Sequence, residues 1–87
     1  MNIQFHKNFK KRYKKLSSKL QDKVDNAILR FRDDPFDSIL KNHKLSGRME
    51  GRRAVWVTGN VRIIFREYQD YTLVVMLDVG GHSEVYG

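Results

Sequence analysis

The sequence predicts an α+β fold in which an N-terminal strand and a helical hairpin pack on a small antiparallel sheet, in the order β-α-α-β-β-β. Two observations lead to this prediction. Apolar residues recur every three or four positions through residues 7–33, as on one face of a helix, whereas strand-forming residues dominate from position 53 onward. The 87 residues contain no repeat and no linker-like segment, so we expect one domain covering residues 1–87.

The first third of the chain is predicted to form a short strand and then two helices. Ile3 and Phe5 alternate with polar residues, which is typical of a strand. Ser18 followed by Gln21 matches a capping box and predicts the start of the second helix. Pro35 disfavours helical geometry in the residue before it, so the second helix should end just ahead of it. The residues expected to face the core are Phe9, Tyr13, Leu16, Leu20, Val24, Ala27, Ile28 and Phe31.

Three strands are predicted after a connector, residues 36–51, that shows little periodicity. Leu40 and Leu45 are the residues expected to anchor this connector to the core. The predicted strands cover residues 53–58, 61–68 and 71–79, with tight turns at Gly59-Asn60 and Gln69-Asp70. The last strand is apolar on both faces, so we expect it at the centre of the sheet.

Alternation along the middle one of these strands assigns side chains to the two faces of the sheet. One set is expected to pack against the helices and comprises Val61, Ile63 and Phe65. Arg62 and Arg66 point the other way. With Trp56 packed inward, Arg53 joins these two arginines, and the open face of the sheet is predicted to be cationic.

Charge is unevenly distributed along the chain, which carries a net charge of +7. Residues 1–20 hold seven Lys or Arg and no acid, and residues 41–66 hold seven against the single acid Glu50. This segregation favours a surface for a polyanion or an acidic protein partner, although a solvated helix face is the alternative for the lysine-rich first helix. Cysteine is absent, no apolar run is long enough for a membrane span, and the N-terminus lacks a signal-peptide pattern.

The candidate chemistry lies at the C-terminus, residues 80–87, where a glycine turn precedes His82 and Tyr86. Imidazole exchanges protons near neutral pH, and the arginine fork binds phosphate. His6 and His43 do not have the spacing of a metal site with His82, and no phosphate-binding loop or paired carboxylates occur. These residues are compatible with metal-free and cofactor-free RNA cleavage, in which the 2′-hydroxyl attacks the adjacent phosphate. The alternatives are that His82 caps a turn and that His43 is a surface residue or an RNA contact.

Three segments together resemble the RelE/ParE toxin superfamily. The strand segment Gly59-Asn60-Val61-Arg62-Ile63-Ile64-Phe65 is similar to a family strand signature, and Lys44-Leu45-Ser46-Gly47 is similar to a segment that precedes it. The ending Gly81-His82-Ser83-Glu84-Val85-Tyr86 resembles that of the RelE and YafQ branches. The predicted order of elements agrees as well, so the resemblance covers the whole chain.

The resemblance implies a cytoplasmic toxin of a type II toxin-antitoxin system, neutralised by a cognate antitoxin. RelE- and YafQ-like members cut mRNA in the ribosomal A site and leave a 2′,3′-cyclic phosphate. ParE-like members inhibit DNA gyrase without cutting RNA. A third hypothesis is a degenerate member that binds its antitoxin but has lost toxicity.

The resemblance also implies roles for individual residues. His82 corresponds to a histidine with acid/base function, Arg62 to an arginine that contacts the scissile phosphate, and Tyr86 to an aromatic residue that orients the substrate. Arg53 lies near a basic family position and is expected to help stabilise the phosphorane charge. The residues expected to contact mRNA or ribosomal RNA are His43, Lys44, Arg66, Lys10, Lys11 and Lys14.

The chain departs from the family pattern at five positions, which are Val55, Trp56, Val57, Asn60 and Asp78. The two valines and Asp78 stand where related toxins place basic residues. The tryptophan replaces a histidine, and the asparagine replaces an aspartate. These departures motivate the hypothesis of a degenerate member.

Overall fold

The computed structural model describes all residues, 1–87, and confirms the predicted α+β class. Its five strands are β1 (Asn2–Phe5), β2 (His43–Lys44), β3 (Arg53–Trp56), β4 (Val61–Tyr68) and β5 (Leu73–Gly81). Its three α-helices are α1 (Lys7–Lys14), α2 (Ser18–Asp33) and α3 (His82–Tyr86). Two 3₁₀ turns lie in the connector, at Ser38–Leu40 and Gly47–Met49.

The strands form one mixed sheet in the order β1-β5-β4-β3-β2. Strand β1 pairs parallel to β5, whereas β5, β4, β3 and β2 form antiparallel pairs. The prediction that the last strand is central is therefore wrong, because β4 occupies the middle position. Ile63, Ile64 and Phe65 of β4 are fully buried, since this strand is covered on both faces.

The helical hairpin forms close to where the sequence predicts it. Helix α1 begins after His6, whose Nδ1 accepts a hydrogen bond from the Asn8 N–H and caps the helix. The cap of α2 is Ser17, one residue earlier than predicted, and its hydroxyl accepts from the Leu20 N–H. The helix ends at Asp33, as expected from Pro35.

The main core lies between the helices and one face of the sheet. Phe31 of α2 meets Phe65 of β4 edge to face, with ring centroids 4.9 Å apart. The predicted connector anchor Leu40 is buried in the same cluster. A smaller cluster on the opposite face contains Ala54, Ile64 and Val85, flanked by the partly buried residues Leu45, Met49 and Tyr86.

Two local predictions are wrong. The β3–β4 connection is longer than two residues, because β3 ends at Trp56 and the Val57 N–H still bonds to the Val61 carbonyl. The C-terminus, interpreted from sequence as the polar tip of a strand, instead folds into helix α3. None of the helices is both long enough and apolar enough to cross a membrane.

Candidate active site

A shallow cavity of about 380 Å³ lies on the face of the sheet that carries α3. Its walls are formed by His43, Leu45, Arg62, His82 and Tyr86. The side chains come from β2, the segment after β2, β4 and α3, so residues distant in sequence meet only through the fold. The cavity thus collects four of the residues predicted from sequence to contact or cleave RNA.

Helix α3 places the histidine and the tyrosine of this cavity side by side. His82 and Tyr86 are four residues apart, so they share one face of the helix, and their ring centroids lie 4.4 Å apart. Val85 points the other way into the small cluster with Ala54 and Ile64. The helix is therefore attached to the sheet by one buried side chain while its two functional rings face the cavity.

The start of α3 is fixed by two polar contacts. The Glu84 carboxylate accepts a hydrogen bond from the Gly81 N–H at 2.7 Å, which is half of a capping box. Asn60, in the β3–β4 loop, accepts from the His82 N–H through Oδ1 at 3.3 Å. A Cβ on Gly81 would lie 2.8 Å from Asn60 Nδ2, so any side chain at position 81 would displace the Asn60 amide.

Arg62 is held by the loop that precedes it. One guanidinium nitrogen, Nη1, donates to the carbonyls of Thr58, Val61 and Gly59 at 2.7, 3.1 and 3.4 Å. Nε and Nη2 make no hydrogen bond within the protein and remain available to a ligand. Because the loop orients the planar group, Arg62 is suited to bind a phosphate through those two nitrogens.

His43 has a defined tautomer. Its Nδ1 lies 2.8 Å from the Lys41 carbonyl, and a carbonyl can only accept, so Nδ1 carries the proton. In the neutral ring, Nε2 is then the nitrogen that can accept a proton. His43 pairs with Ala54 across β2 and β3, which places it on the α3 face of the sheet.

Tyr86 is half-buried, whereas its neighbour His82 is exposed. Burial raises the pKa of the Tyr86 phenol above its ordinary value, and the nearby Arg62 charge offsets part of that rise. The phenol is therefore protonated at neutral pH and can donate a hydrogen bond. The Tyr86 carbonyl accepts from Arg48 Nη2 at 3.4 Å, which links α3 to the second 3₁₀ turn.

The predicted grouping of Arg53 with Arg62 on one face is wrong. In the β3–β4 register Trp56 lies opposite Arg62, whereas Arg53 lies opposite Phe65, on the helix-covered face. Arg53 donates to Asn42 Oδ1 at 2.9 Å and lies over the Phe36 ring. The error follows from the assumption that Trp56 packs inward.

Two other predicted RNA contacts also lie outside the cavity. Arg66 is on the α3 face, but it is four residues along β4 from Arg62, which is about 13 Å, and buried Ile64 separates them. Lys44 points to the opposite face from His43, because neighbouring strand residues alternate. Lys44 lines a separate depression together with Arg53 and Glu67.

The lysines of α1 are distributed around the helix. Lys11 lines a groove with Arg12, Lys15 and Glu84, on the side of α3 away from the cavity. Lys10 borders an apolar pocket with Phe9 and Tyr13 on the opposite flank of α1. Lys14 is exposed. Only the flank that carries Lys11 therefore adjoins α3, on the side opposite the cavity.

Sequence reasoning missed the residues that hold α3 in place. Arg12 lies 3.5 Å from Asp78 and 3.6 Å from Glu84 in two ion pairs, so it joins α1 to β5 and α3. The spacing of Gly81 and Glu84 matches a helix N-cap followed by an acid at its third position, and this signal could have predicted α3. No sequence signal connects Arg12 to either carboxylate.

Asp78 is an acidic residue of β5 whose side chain is largely buried. Burial is the main cause that raises the pKa of this carboxyl above its ordinary value, and Glu84 raises it further. The Val79 N–H and the charges of Arg12 and Arg52 act in the opposite direction. Desolvation therefore outweighs the ion pair at this position.

The fold and a family sequence model together place the chain among the RelE-like toxins. The sequence model of the family described as bacterial toxin of type II toxin-antitoxin system, YafQ, matches residues 1–87. The chain therefore belongs to the YafQ toxin family and is a toxin of a type II toxin-antitoxin system. No curated protein sequence matches it at a significant level.

Solved structures share the fold at low sequence identity. YafQ from E. coli strain BL21(DE3) superposes with a TM-score of 0.84 at 18% identity, over 99% of this chain and 98% of that chain. The YoeB/ParE toxin from Agrobacterium tumefaciens gives 0.78 at 18% identity, over 94% and 99%. A chain of the E. coli DinJ-YafQ toxin-antitoxin complex gives 0.72 at 18% identity, over 99% and 97%.

Proposed function

We propose that this toxin is a metal-independent, ribosome-dependent mRNA endonuclease that leaves a 2′,3′-cyclic phosphate and a 5′-hydroxyl. The observation that carries the proposal is the convergence of His43, Arg62, His82 and Tyr86 on one cavity. This set contains two groups that can transfer protons, a cation for phosphate and a hydrogen-bond donor. Such a set is sufficient for phosphate transesterification, which needs proton transfer and charge stabilisation.

The proposed reaction assigns one proton transfer to each histidine. The 2′-oxygen forms a bond to the adjacent phosphorus, the bond from phosphorus to the 5′-oxygen breaks, and the chain is cut. His43 accepts the 2′-hydroxyl proton at Nε2, since Nδ1 is engaged with the Lys41 carbonyl. The imidazolium of His82, which no protein group hydrogen-bonds through its ring, donates a proton to the departing 5′-oxygen.

Arg62 and Tyr86 act on the phosphate. The free Nε and Nη2 of Arg62 bind the two non-bridging oxygens, whose negative charge increases in the phosphorane transition state. The protonated Tyr86 phenol donates to the same phosphate or to a neighbouring oxygen and holds the RNA against α3. Arg53 takes no part in this arrangement, because it lies on the other face of the sheet.

The proposed partners are inferred from the positive charge of the protein and from its family. A ribosome presents mRNA surrounded by ribosomal RNA, and the α1 flank with Lys11 and Lys15 is placed to contact RNA phosphates beside α3. Ribosome binding should then weaken as salt rises. The partner in the DinJ-YafQ complex is an antitoxin, and we propose that a cognate antitoxin neutralises this toxin by covering its cationic surface. Both partners are found in the cytoplasm, where we expect this toxin to act.

The test is cleavage of a short mRNA on purified ribosomes, mapped by primer extension. We expect a cut only when ribosomes are present and a product end that carries a 2′,3′-cyclic phosphate. Growth arrest in cells without any cut would contradict the proposal and favour the gyrase-inhibiting class, which a supercoiling assay detects. Normal growth on induction, with retained binding to the antitoxin, would favour a degenerate member.

The histidine assignments have a separate test. An mRNA with sulfur in place of the bridging 5′-oxygen has a leaving group that departs without a proton. We expect this substrate to restore cleavage by His82→Ala but not by His43→Ala. Restoration in the His43 variant alone would reverse the two roles.

A further inference from the structure

The segment that carries His43 is weakly held by the sheet. Strand β2 contains only His43 and Lys44, lies at the edge of the sheet and pairs only with β3, at Ala54 and Arg53. Lys41, just before this strand, has φ +51°, a left-handed conformation that is unfavourable for a residue with a side chain. Such a conformation persists only where surrounding contacts impose it. Contacts beyond the β2 backbone are therefore needed to fix the position of His43.

Asn42, which directly precedes β2, supplies these contacts. Its Nδ2 donates to the Pro35 carbonyl at 3.0 Å and to the Tyr71 hydroxyl at 3.1 Å. Its Oδ1 accepts a hydrogen bond from Arg53 Nε at 2.9 Å. The three bonds connect the start of β2 to the chain just after α2, to the turn before β5 and to β3.

Two of the partners of Asn42 are held by aromatic rings on the helix-covered face. The centre of the Tyr71 ring lies 5.3 Å from that of Phe36 and 6.0 Å from that of Phe31. The central carbon of the Arg53 guanidinium lies 5.8 Å from the centre of the Phe36 ring. The main core therefore orients the groups that hold Asn42.

Asn42 and His43 lie on opposite faces of the sheet. Side chains alternate along a strand, so Asn42 reaches Arg53 on the helix-covered face while His43 points to the cavity. The His43 ring donates through Nδ1 to the carbonyl of Lys41, the residue on the other side of Asn42. A displacement of Asn42 would therefore move both partners of that bond and turn His43 Nε2 away from its place in the cavity.

We propose that Asn42 and Arg53 are positioning residues that hold His43 in the orientation needed to accept the 2′-hydroxyl proton. The inference rests on the proposed endonuclease function, in which His43 is the base. Arg53 contributes the Nε donor rather than its charge, and it acts through Asn42 and the β2 backbone without contact with RNA.

Two substitutions of Arg53 separate the donor from the charge. Arg53→Gln keeps a side-chain nitrogen donor as many bonds from Cα as Nε, whereas Arg53→Met has a similar length and no donor. Both variants lose the positive charge and its contact with Phe36. We expect Arg53→Met to lower kcat on ribosomes by about tenfold with KM unchanged, because a misplaced base slows the chemical step without weakening binding. Arg53→Gln should cleave at close to the wild-type rate.

The same assay can overturn the inference in three ways. Equal losses in the two variants would show that the charge of Arg53 matters and not its donor. Full cleavage by Arg53→Met would show that the hydrogen bond to Asn42 is not needed. Combined with His43→Ala, Arg53→Met should cause no further loss, since the two changes disable the same base. A further loss in the double variant would indicate general damage to the fold.

A measurement on the isolated protein separates this inference from the function on which it rests. The ¹⁵N chemical shifts of the His43 ring, recorded by NMR at a pH where the ring is neutral, report which nitrogen carries the proton. We expect Nδ1 to be protonated in the wild type and in Arg53→Gln, and a mixture of both tautomers in Arg53→Met. A wild type that does not cut mRNA would overturn the proposed function, and the ring shifts would still test the positioning of His43. The same tautomer in all three proteins would overturn the inference.

Discussion

The helix-covered face of the sheet buries thirteen residues in one continuous cluster, whereas the α3 face buries only three. The large cluster joins both helices to β3, β4 and β5 and excludes water from most of the sheet. On the other face, α3 is attached by Val85 and by polar contacts of Glu84 and Arg12. The residues that stabilise the fold and the candidate catalytic residues thus lie on opposite faces of the sheet. A substitution on one face should therefore change stability or cleavage without changing the other.

The largest effect is expected from a substitution in the core on the helix-covered face. Phe31→Ala removes a fully buried ring that packs edge to face on Phe65. A loss of about 4 kcal/mol in the free energy of unfolding is expected for a buried phenylalanine, and urea denaturation measures it. A domain of this size has little stability to spare. A loss below 1 kcal/mol would show that the two faces do not differ in this way.

A substitution on the α3 face should remove activity and leave the stability of the fold intact. His82→Ala alters an exposed side chain that makes no hydrogen bond through its ring, so the free energy of unfolding should change by no more than about 0.5 kcal/mol. Cleavage on ribosomes should fall by about 10²- to 10⁴-fold. His6→Asn is the control, because asparagine can keep the helix cap on α1. Full cleavage by His82→Ala would contradict the site assignment.

Tyr86→Phe tests the donor within the cavity. We expect cleavage to fall by about tenfold, because one hydrogen bond to a charged phosphate is lost. Since the pKa of Tyr86 is raised, the phenol does not ionise between pH 6 and 9. The pH profiles of wild type and variant should therefore have the same shape over that range. A loss of the alkaline limb in the variant would show that Tyr86 titrates during the reaction.

The polar attachment of α3 connects the two faces, and Arg12→Gln should loosen it. Both ion pairs of Arg12 are lost, so α3 should hold His82 and Tyr86 less firmly, and cleavage should fall by about fivefold. The accompanying change in the free energy of unfolding should be no more than about 1 kcal/mol, because the ion pairs are partly exposed. Arg32→Gln, which alters an exposed arginine of α2 that forms no ion pair, is the matched control. Equal cleavage by both variants would indicate that α3 does not need this attachment.

The smallest effect is expected at Asp78. Its pKa is higher in the folded than in the unfolded chain, so the folded state binds the proton more tightly. The stability that this proton contributes is present at low pH and is lost as the pH rises from the ordinary pKa through the raised one. Asp78→Asn should match the wild type at pH 3 and be more stable than the wild type at pH 7, which urea denaturation at the two pH values measures. A less stable variant at pH 7 would show that the Arg12 ion pair outweighs desolvation.

Much of the fold was predictable because its signals are local. The spacing of Phe9, Val24 and Phe31 predicts the two helices, and all three are buried in the main core. The bounds of β4 were predicted correctly, because alternation and turn residues mark both of its ends. The order of the strands was not predicted correctly. The pairing of β1 with β5 depends on contacts between residues far apart in the sequence, and no short segment of the sequence indicates them.

The candidate site was predictable in composition and only partly in arrangement. Arg62, His82, Tyr86 and His43 were identified through family resemblance, and they line one cavity. Arg53 was placed on the wrong face because register across β3 and β4 depends on the length of the loop between them. One misjudged side chain, Trp56, was enough to invert the assignment.

By itself, the sequence determined the fold class, the cationic character of the protein and the residues that carry its candidate chemistry. Periodicity, charge counts and motifs are properties of neighbouring residues, so they can be obtained without coordinates. Tertiary structure decided that the C-terminus is a helix, that Arg12 holds it through Asp78 and Glu84, and that Arg53 lies apart. These features depend on which residues, distant in sequence, lie close together on one face of the sheet and are shielded from water together. Only the folded chain brings such residues together.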